Sequence, residues 1–280
     1  MSRIIRHMVG EVEVIALTDG VGQFGNEQFP DTDPTEIKNL LAAAKKDVIE
    51  TNFNAFVIRS KDETMLVDTG ARDLFGPTAG FLLDALTEAE ITPQDINRLF
   101  ISHMHPDHCA GAVSSDGAAV FANAELILSD LEYAYWRDYS NFEGKGDLAE
   151  NAYGLTKSVF DAYHERLTPV VGAADLDHGV HVVPLFGHTP GHCGLRVSDG
   201  DNQFVTVSDI AHAVDLQLAN PDIGVVYDMD GDTAAIARKS MLDELATEGI
   251  ACSGGHFLYP GIGRIKRAGA GYRYSAIDQE

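Results

Sequence analysis

Short apolar runs alternate along the chain with segments of helical period. The runs "VEVIAL" (12–17), "FNAFVIR" (53–59), "TMLVDTG" (64–70), "RLFISH" (98–103), "AELILS" (124–129), "VHVVPLF" (180–186), "GLRVS" (194–198) and "QFVTVSD" (203–209) read as strands. Apolar residues at three- and four-residue spacing mark helices in "GFLLDALTEAE" (80–90), "DLEYAYWRDY" (130–139), "LTKSVFDAYHERL" (155–167) and "DTAAIARKSMLDELATEG" (232–249). Asp232 is the expected N-cap of the last helix and Gly249 its stop. Strands in both halves with helices between them predict an α/β sandwich, a single domain over residues 1–280. The aromatic, helical stretch at about 130–168 is expected to cover a site as a lid, and "GIGRIKRAGAGYRYSAI" near the C-terminus reads as turns and a strand.

Composition narrows the function. The 280 residues are 45% hydrophobic, enough for one large core. A formal charge of -23, from 43 acids against 20 bases, repels phosphate backbones, and the one basic cluster near the C-terminus is short. Nucleic acid is therefore not expected as a partner. No run approaches the roughly 20 apolar residues of a membrane span, so no membrane association is expected. "MSRIIRHMVGEVEVIALTDG" puts charges where a signal peptide needs its apolar centre, which makes the cytoplasm the expected location. Cys109, Cys193 and Cys252 have no paired spacing and read as buried hydrophobes rather than disulfide partners.

The candidate chemistry is concentrated in "FISHMHPDHCAG" (100–111), where three histidines and an aspartate fall within six residues. If the preceding strand continues, His103 and His105 lie on one side of it and converge on one ion. Pro106 bends the chain, aiming Asp107 and His108 at an adjacent point. Imidazole and carboxylate suit zinc and other first-row metals. Further ligand-type residues follow later apolar strands in glycine-containing loops: His188, Asp209 and His256. His192 is expected to orient its loop and His212 to face a substrate; His7, His164, His178 and His181 read as surface or core residues.

The ordered set "DTG" (68–70), "HMHPDH" (103–108), "GHTPGH" (187–192), "SD" (208–209) and "GGH" (254–256) resembles the metallo-β-lactamase-fold hydrolases. The resemblance implies a four-layer αββα sandwich. It implies that His103, His105 and His188 hold one divalent ion and Asp107, His108 and His256 a second. Asp209 would bridge the two, and Asp68 would orient a ligand histidine. Zinc is the expected metal, with manganese, cobalt or iron as alternatives. Two such ions would share a hydroxide that attacks the substrate, with Asp107 or Asp209 passing the proton to the leaving group. A G-x-S-x-G elbow is absent, so Ser208 is not expected as a nucleophile.

Within that family, "DTGARDLFGPTAG" (68–80), "ISHMHPDHCAG" (101–111) and "YPGIGRIKRAGAGYRY" (259–274) look like the methyl parathion hydrolase subgroup, itself similar to the N-acyl homoserine lactone lactonases. The resemblance implies a homodimer and an aromatic-lined pocket, for which Trp136, Tyr133 and Tyr135 are the candidates; core packing or dimer contact is the other role open to these rings. Asp209 stands where cysteine-ligand β-lactamases carry cysteine, and the acidic balance disfavours a tRNA-processing nuclease. The expectation is a lactonase acting on a small lactone or ester, such as the quorum-sensing N-acyl homoserine lactones, with promiscuous phosphotriesterase or arylesterase activity. The alternative is an organophosphate hydrolase of the methyl parathion type. A non-catalytic metal-binding module is the alternative of another class, which the full set of seven ligand positions disfavours.

Overall fold

The computed structural model describes residues 2–259 and 261–277. Its first sheet runs in sequence order: β1 (Ile4–Val9), β2 (Val12–Phe24), β3 (Ile49–Arg59), β4 (Thr64–Val67), β5 (Arg98–Phe100), β6 (Glu125–Ser129) and β7 (Leu167–Val170). β1 to β4 pair antiparallel, then β4 to β7 pair parallel. The second sheet contains β8 (Val180–Pro184), β9 (Cys193–Asp199), β10 (Asn202–Thr206), β11 (Ala251–Ser253), β12 (Gly263–Ala268) and β13 (Gly271–Ala276), with only β10 and β11 parallel. The helices are α1 (Pro34–Ala44), α2 (Leu82–Glu88), α3 (Pro106–Cys109), α4 (Asp130–Trp136), α5 (Asp147–Ala162), α6 (Val214–Gln217) and α7 (Gly231–Glu248).

Period-two alternation sorts the strand residues into layers. Val14, Ala16, Phe56, Ile58, Met65 and Val67 of the first sheet meet Val182, Leu195, Val197 and Phe204 of the second, forming the core between the sheets. Their neighbours Ile15, Leu17, Val57 and Leu66 turn outward onto Leu82 and Leu86 of α2 and Val159 and Phe160 of α5. On the far side, Val205 and Cys252 pack beneath Met241, Leu242 and Leu245 of α7. Helix, sheet, sheet, helix is the expected four-layer order. All three cysteines are buried and free. Among the described residues no helix is long and apolar enough to cross a membrane.

Several boundaries differ from the sequence reading. β2 runs on from 17 to Phe24 and β3 begins at Ile49 rather than 53, because the hairpin carries polar residues such as Asp19, Thr51 and Asn52 into buried positions. β5 ends at Phe100, so His103 and His105 lie in a loop beyond the strand and their convergence owes nothing to pleating. Pro106 does not break the chain but opens the short helix α3 at its first position, where a missing N–H costs nothing. The stretch 155–167 splits: α5 ends at Ala162, and Leu167 starts β7, recruited by parallel pairing to β6. α4 and α5 thus connect β6 to β7 along the outer face of the first sheet. The C-terminal segment forms a two-stranded hairpin rather than one strand. β1 was not anticipated from its charge-interrupted sequence.

The cap of α7 is Asp230, not Asp232. Its backbone is extended, and its carboxylate accepts hydrogen bonds from the Thr233 N–H (3.0 Å) and hydroxyl (2.8 Å). Asp232 already lies within the first turn. Asp230→Ala is therefore expected to cost about 1 kcal/mol, seen as a fall in Tm of about 2–4 °C, while Asp232→Ala leaves Tm nearly unchanged. Equal losses from the two variants would contradict the assignment.

Candidate metal centre

Each ligand-type residue sits just past the C-terminal end of a strand. Asp68 follows β4, His103 to His108 follow β5, His188 follows β8, Asp209 follows β10 and His256 follows β11. β4 and β5 run parallel, as do β10 and β11, and β8 runs in the same direction as β10 through two antiparallel pairings. One end of the sandwich therefore collects every one of these loops.

Two groups form there, and His188 and Asp209 also meet His212 in a third that overlaps both. His103 Nε2 and His188 Nε2 lie 3.1 and 2.9 Å from His105 Nδ1. Beside them, Asp107, His108, Asp209 and His256 converge within 4.8 Å of one another. Asp209 Oδ2 lies 3.1 Å from Nε2 of both His108 and His256, 3.6 Å from that of His103 and 3.5 Å from that of His188. The carboxylate thus stands between the two groups. Gly255 allows this approach, since a Cβ there would fall 2.4 Å from Asp209 Oδ1.

The second nitrogen of most rings is held. His108 Nδ1 faces Asp68 Oδ2 at 2.9 Å, and Asp68 also accepts from the Ser102 N–H and hydroxyl, both at 2.8 Å. Asp68 takes a left-handed backbone (φ 61°), a strained state for a non-glycine residue. His256 Nδ1 lies 2.8 Å from the Asn52 carbonyl. His192 bonds the Leu185 carbonyl through Nδ1 and accepts the Asp209 N–H at Nε2 (3.0 Å), so it orients the Asp209 loop. His188 Nδ1 lies 2.9 Å from Asp228 Oδ1, and Asp228 pairs with Arg238 of α7. Arg238 is almost fully buried and also donates to the Ile210 and Pro221 carbonyls. Sequence reasoning missed Asp228 and Arg238; the one available signal was an arginine on what would be the buried face of α7.

Burial governs the electrostatics. It pushes His105 down to about 3 and His188 and His192 to about 4, and lowers His103 and His212 as well, leaving these rings neutral. Burial opposes charge on His108 and His256 too, but Asp209 and Asp107 outweigh it and raise both. Burial would raise Asp107 and Asp209, yet the surrounding imidazoles hold both below the usual carboxylate range. His108 Nε2, Asp209 Oδ1 and His212 Nδ1 are buried without hydrogen-bond partners. Convergent neutral imidazole nitrogens, ionised carboxylates and orphaned polar atoms fit divalent cations.

His105 and Asp107 are the partly exposed members, so the opening lies on their side. His212 packs beside the centre, stacked on His256 (4.5 Å) with Nε2 3.3 Å from Asp209 Oδ2. Of the three aromatic candidates, Trp136 is buried with its ring edge-on to His105 at 5.9 Å. Tyr133 packs on Phe160, and Tyr135 on Trp136 and Phe142. Four rings not singled out from the sequence surround the other side: Phe53 meets His256 at 5.6 Å and stacks on Phe75, while Phe24 contacts His212, His256 and Tyr227. Phe75 rides on the 71–81 loop, which hangs from Asp19. That buried carboxylate, at a bulge in β2, accepts from the N–H groups of Ala71, Gly80 and Leu82.

The family model of the metallo-beta-lactamase superfamily matches residues 50–254. Among solved structures, the dizinc quorum-quenching lactonase AidC, in complex with a product, is 26% identical with a TM-score of 0.92, covering 100% of this chain and 99% of that one. AbOPH, a hydrolase in the beta lactamase superfamily, matches with the same identity, TM-score and coverage. A probable metal-dependent hydrolase from Staphylococcus aureus, 17% identical, shares the fold with a TM-score of 0.79 over 98% of this chain and 100% of its own.

Two outcomes follow from these contacts. Asp228→Asn is expected to weaken metal affinity about 10–100-fold, because His188 loses the carboxylate that orients it. It also strands the buried Arg238 charge, lowering Tm; chelator competition and thermal melts read the two effects, and unchanged affinity would contradict the role. In metal-stripped protein, five histidines stay neutral when folded but bind protons when unfolded below about pH 6.5. Of the seven histidines clustered at the centre, two, His108 and His256, are shifted the other way by Asp209 and Asp107, so on balance the unfolded state binds more protons. Tm is expected to fall as pH drops from about 7.5 to 5; a flat or rising Tm would contradict this balance.

Proposed function

This chain belongs to the metallo-beta-lactamase superfamily and is a metal-dependent hydrolase, and we propose that it is a dinuclear lactonase that opens small lactone rings such as N-acyl homoserine lactones. The observation that carries this reading is Asp209, standing between two groups of ligand-type side chains. His103, His105 and His188 would hold one ion, Asp107, His108 and His256 the other, and Asp209 both. Zinc suits this nitrogen and oxygen set best, with manganese, cobalt or iron sharing its donors. When bound, such ions would supply an activated water and polarise the ester carbonyl.

The protein's own groups supply the rest. Asp68 and Asp228 keep the ring nitrogens of His108 and His188 aimed at the centre. Asp107 reaches the open side and is held ionised, which supports a role in passing a proton to the departing alkoxide, with Asp209 as the other candidate. The unpartnered Nδ1 of His212 supports a contact with a substrate oxygen. Phe24, Phe53, Phe75 and Tyr227 suit an apolar acyl chain, with Trp136 behind His105 and Tyr133 and Tyr135 beside it. The reading treats residues 1–280 as one domain, with 130–168 flanking the site, in a cytoplasmic homodimer. The net charge of -23 keeps nucleic acid outside it.

The test is paired kcat/KM on metal-reconstituted protein, with an N-acyl homoserine lactone series against a methyl aryl phosphotriester. A lactone preference of several orders of magnitude is expected. A phosphotriester preference would make it an organophosphate hydrolase, and activity on neither would refute the substrate class. Asp209→Asn is expected to lose an ion and most turnover while keeping the fold by circular dichroism. Full activity with two ions bound would remove Asp209 from its bridging role.

A further inference from the structure

One buried carboxylate beside the centre has no part in the ligand set. Glu132, in the first turn of α4, is 0% exposed and makes no ion pair among the described residues. Its Oε1 accepts the N–H of Met104 (2.9 Å), the residue between His103 and His105. Its Oε2 accepts the Thr189 hydroxyl (2.7 Å) and the Gly191 N–H (2.9 Å), from the loop that carries His188. One side chain therefore ties together the two loops that deliver all three histidines of the first group. α4 lies so close to the second loop that a Cβ on Gly191 would fall 2.2 Å from the Glu132 nitrogen. One turn later, Trp136 sets its ring against His105.

A carboxylate buried without a cation costs several kcal/mol, offset only by strong hydrogen bonds. Packing alone would be served by an apolar side chain. What a carboxylate provides is two acceptor oxygens for three donors on two loops; a glutamine would point an N–H at one of those donors. We propose that Glu132 is a positioning residue for the three-histidine subsite, fixing its geometry, while the Asp107–His108–His256 subsite is independent of it. This rests on the two-metal reading above.

The experiment is a Co2+ titration of the apoprotein, followed by absorption spectroscopy and metal analysis. Wild type, Glu132→Gln and Thr189→Val are compared, with His105→Ala marking the ligand-field bands of the first subsite. Wild type is expected to take up two ions. Glu132→Gln should keep one at wild-type affinity and bind the other about 10–100-fold more weakly, losing the bands that His105→Ala loses. Thr189→Val, which removes one of the three donors, should weaken the same ion by a smaller factor. Two ions at wild-type affinity in Glu132→Gln, or equal weakening of both, would overturn the proposal. If circular dichroism shows Glu132→Gln unfolded, Thr189→Val decides by the same criterion. A wild type that holds fewer than two ions would instead overturn the two-metal reading beneath it.

Discussion

The centre depends on one buried carboxylate oxygen, Asp209 Oδ2, which lies 3.1 to 3.6 Å from the Nε2 atoms of His103, His108, His188, His212 and His256. Five imidazoles do not gather around one oxygen without help. Each has been taken from water, and their lone pairs and dipoles compete for the same small volume. The sandwich makes the arrangement affordable by fixing the backbone. The sheet-to-sheet core, with Phe56, Met65, Leu195 and Phe204, holds β4, β5, β10 and β11 in register, and the loops past their ends have little freedom left.

The rings are then set individually. Asp68 aims His108, the Asn52 carbonyl aims His256, Asp228 aims His188, and His192 takes the Asp209 N–H. The bonds to His108, His256 and His188 hold the nitrogen facing away from the centre, so each fixes an orientation. Behind them lie the buried Arg238–Asp228 pair and the carboxylate of Glu132, which accepts hydrogen bonds from the Met104 and Gly191 N–H groups. The mouth is softer. Phe75, on a loop suspended from Asp19, and Tyr227 are both partly exposed, and an aromatic rim of this kind suits variable apolar substrates better than a closed polar pocket.

Much of the centre was legible in the sequence because its residues are polar groups at the ends of apolar strands, a placement with few structural reasons. The layered fold was legible from period-two runs such as Val14 to Leu17, whose members face opposite cores. What was not legible depends on tertiary approach. Asp228 looks like any loop aspartate until His188 meets it, and Phe24 gains meaning only when β2 outruns its apolar run and reaches His256. The convergence of His103 and His105 was anticipated for the wrong reason, since a loop rather than a pleated strand brings them together. Asp232 and Asp230 are equally good caps in composition, and only the chain's entry path selects the earlier one.

The account stands most directly on anomalous diffraction from crystals of the metal-reconstituted protein. It predicts two peaks about 3.5–4 Å apart, one against His103, His105 and His188, the other against Asp107, His108 and His256, with the Asp209 carboxylate touching both. A single peak, or two peaks of which Asp209 contacts only one, would contradict it.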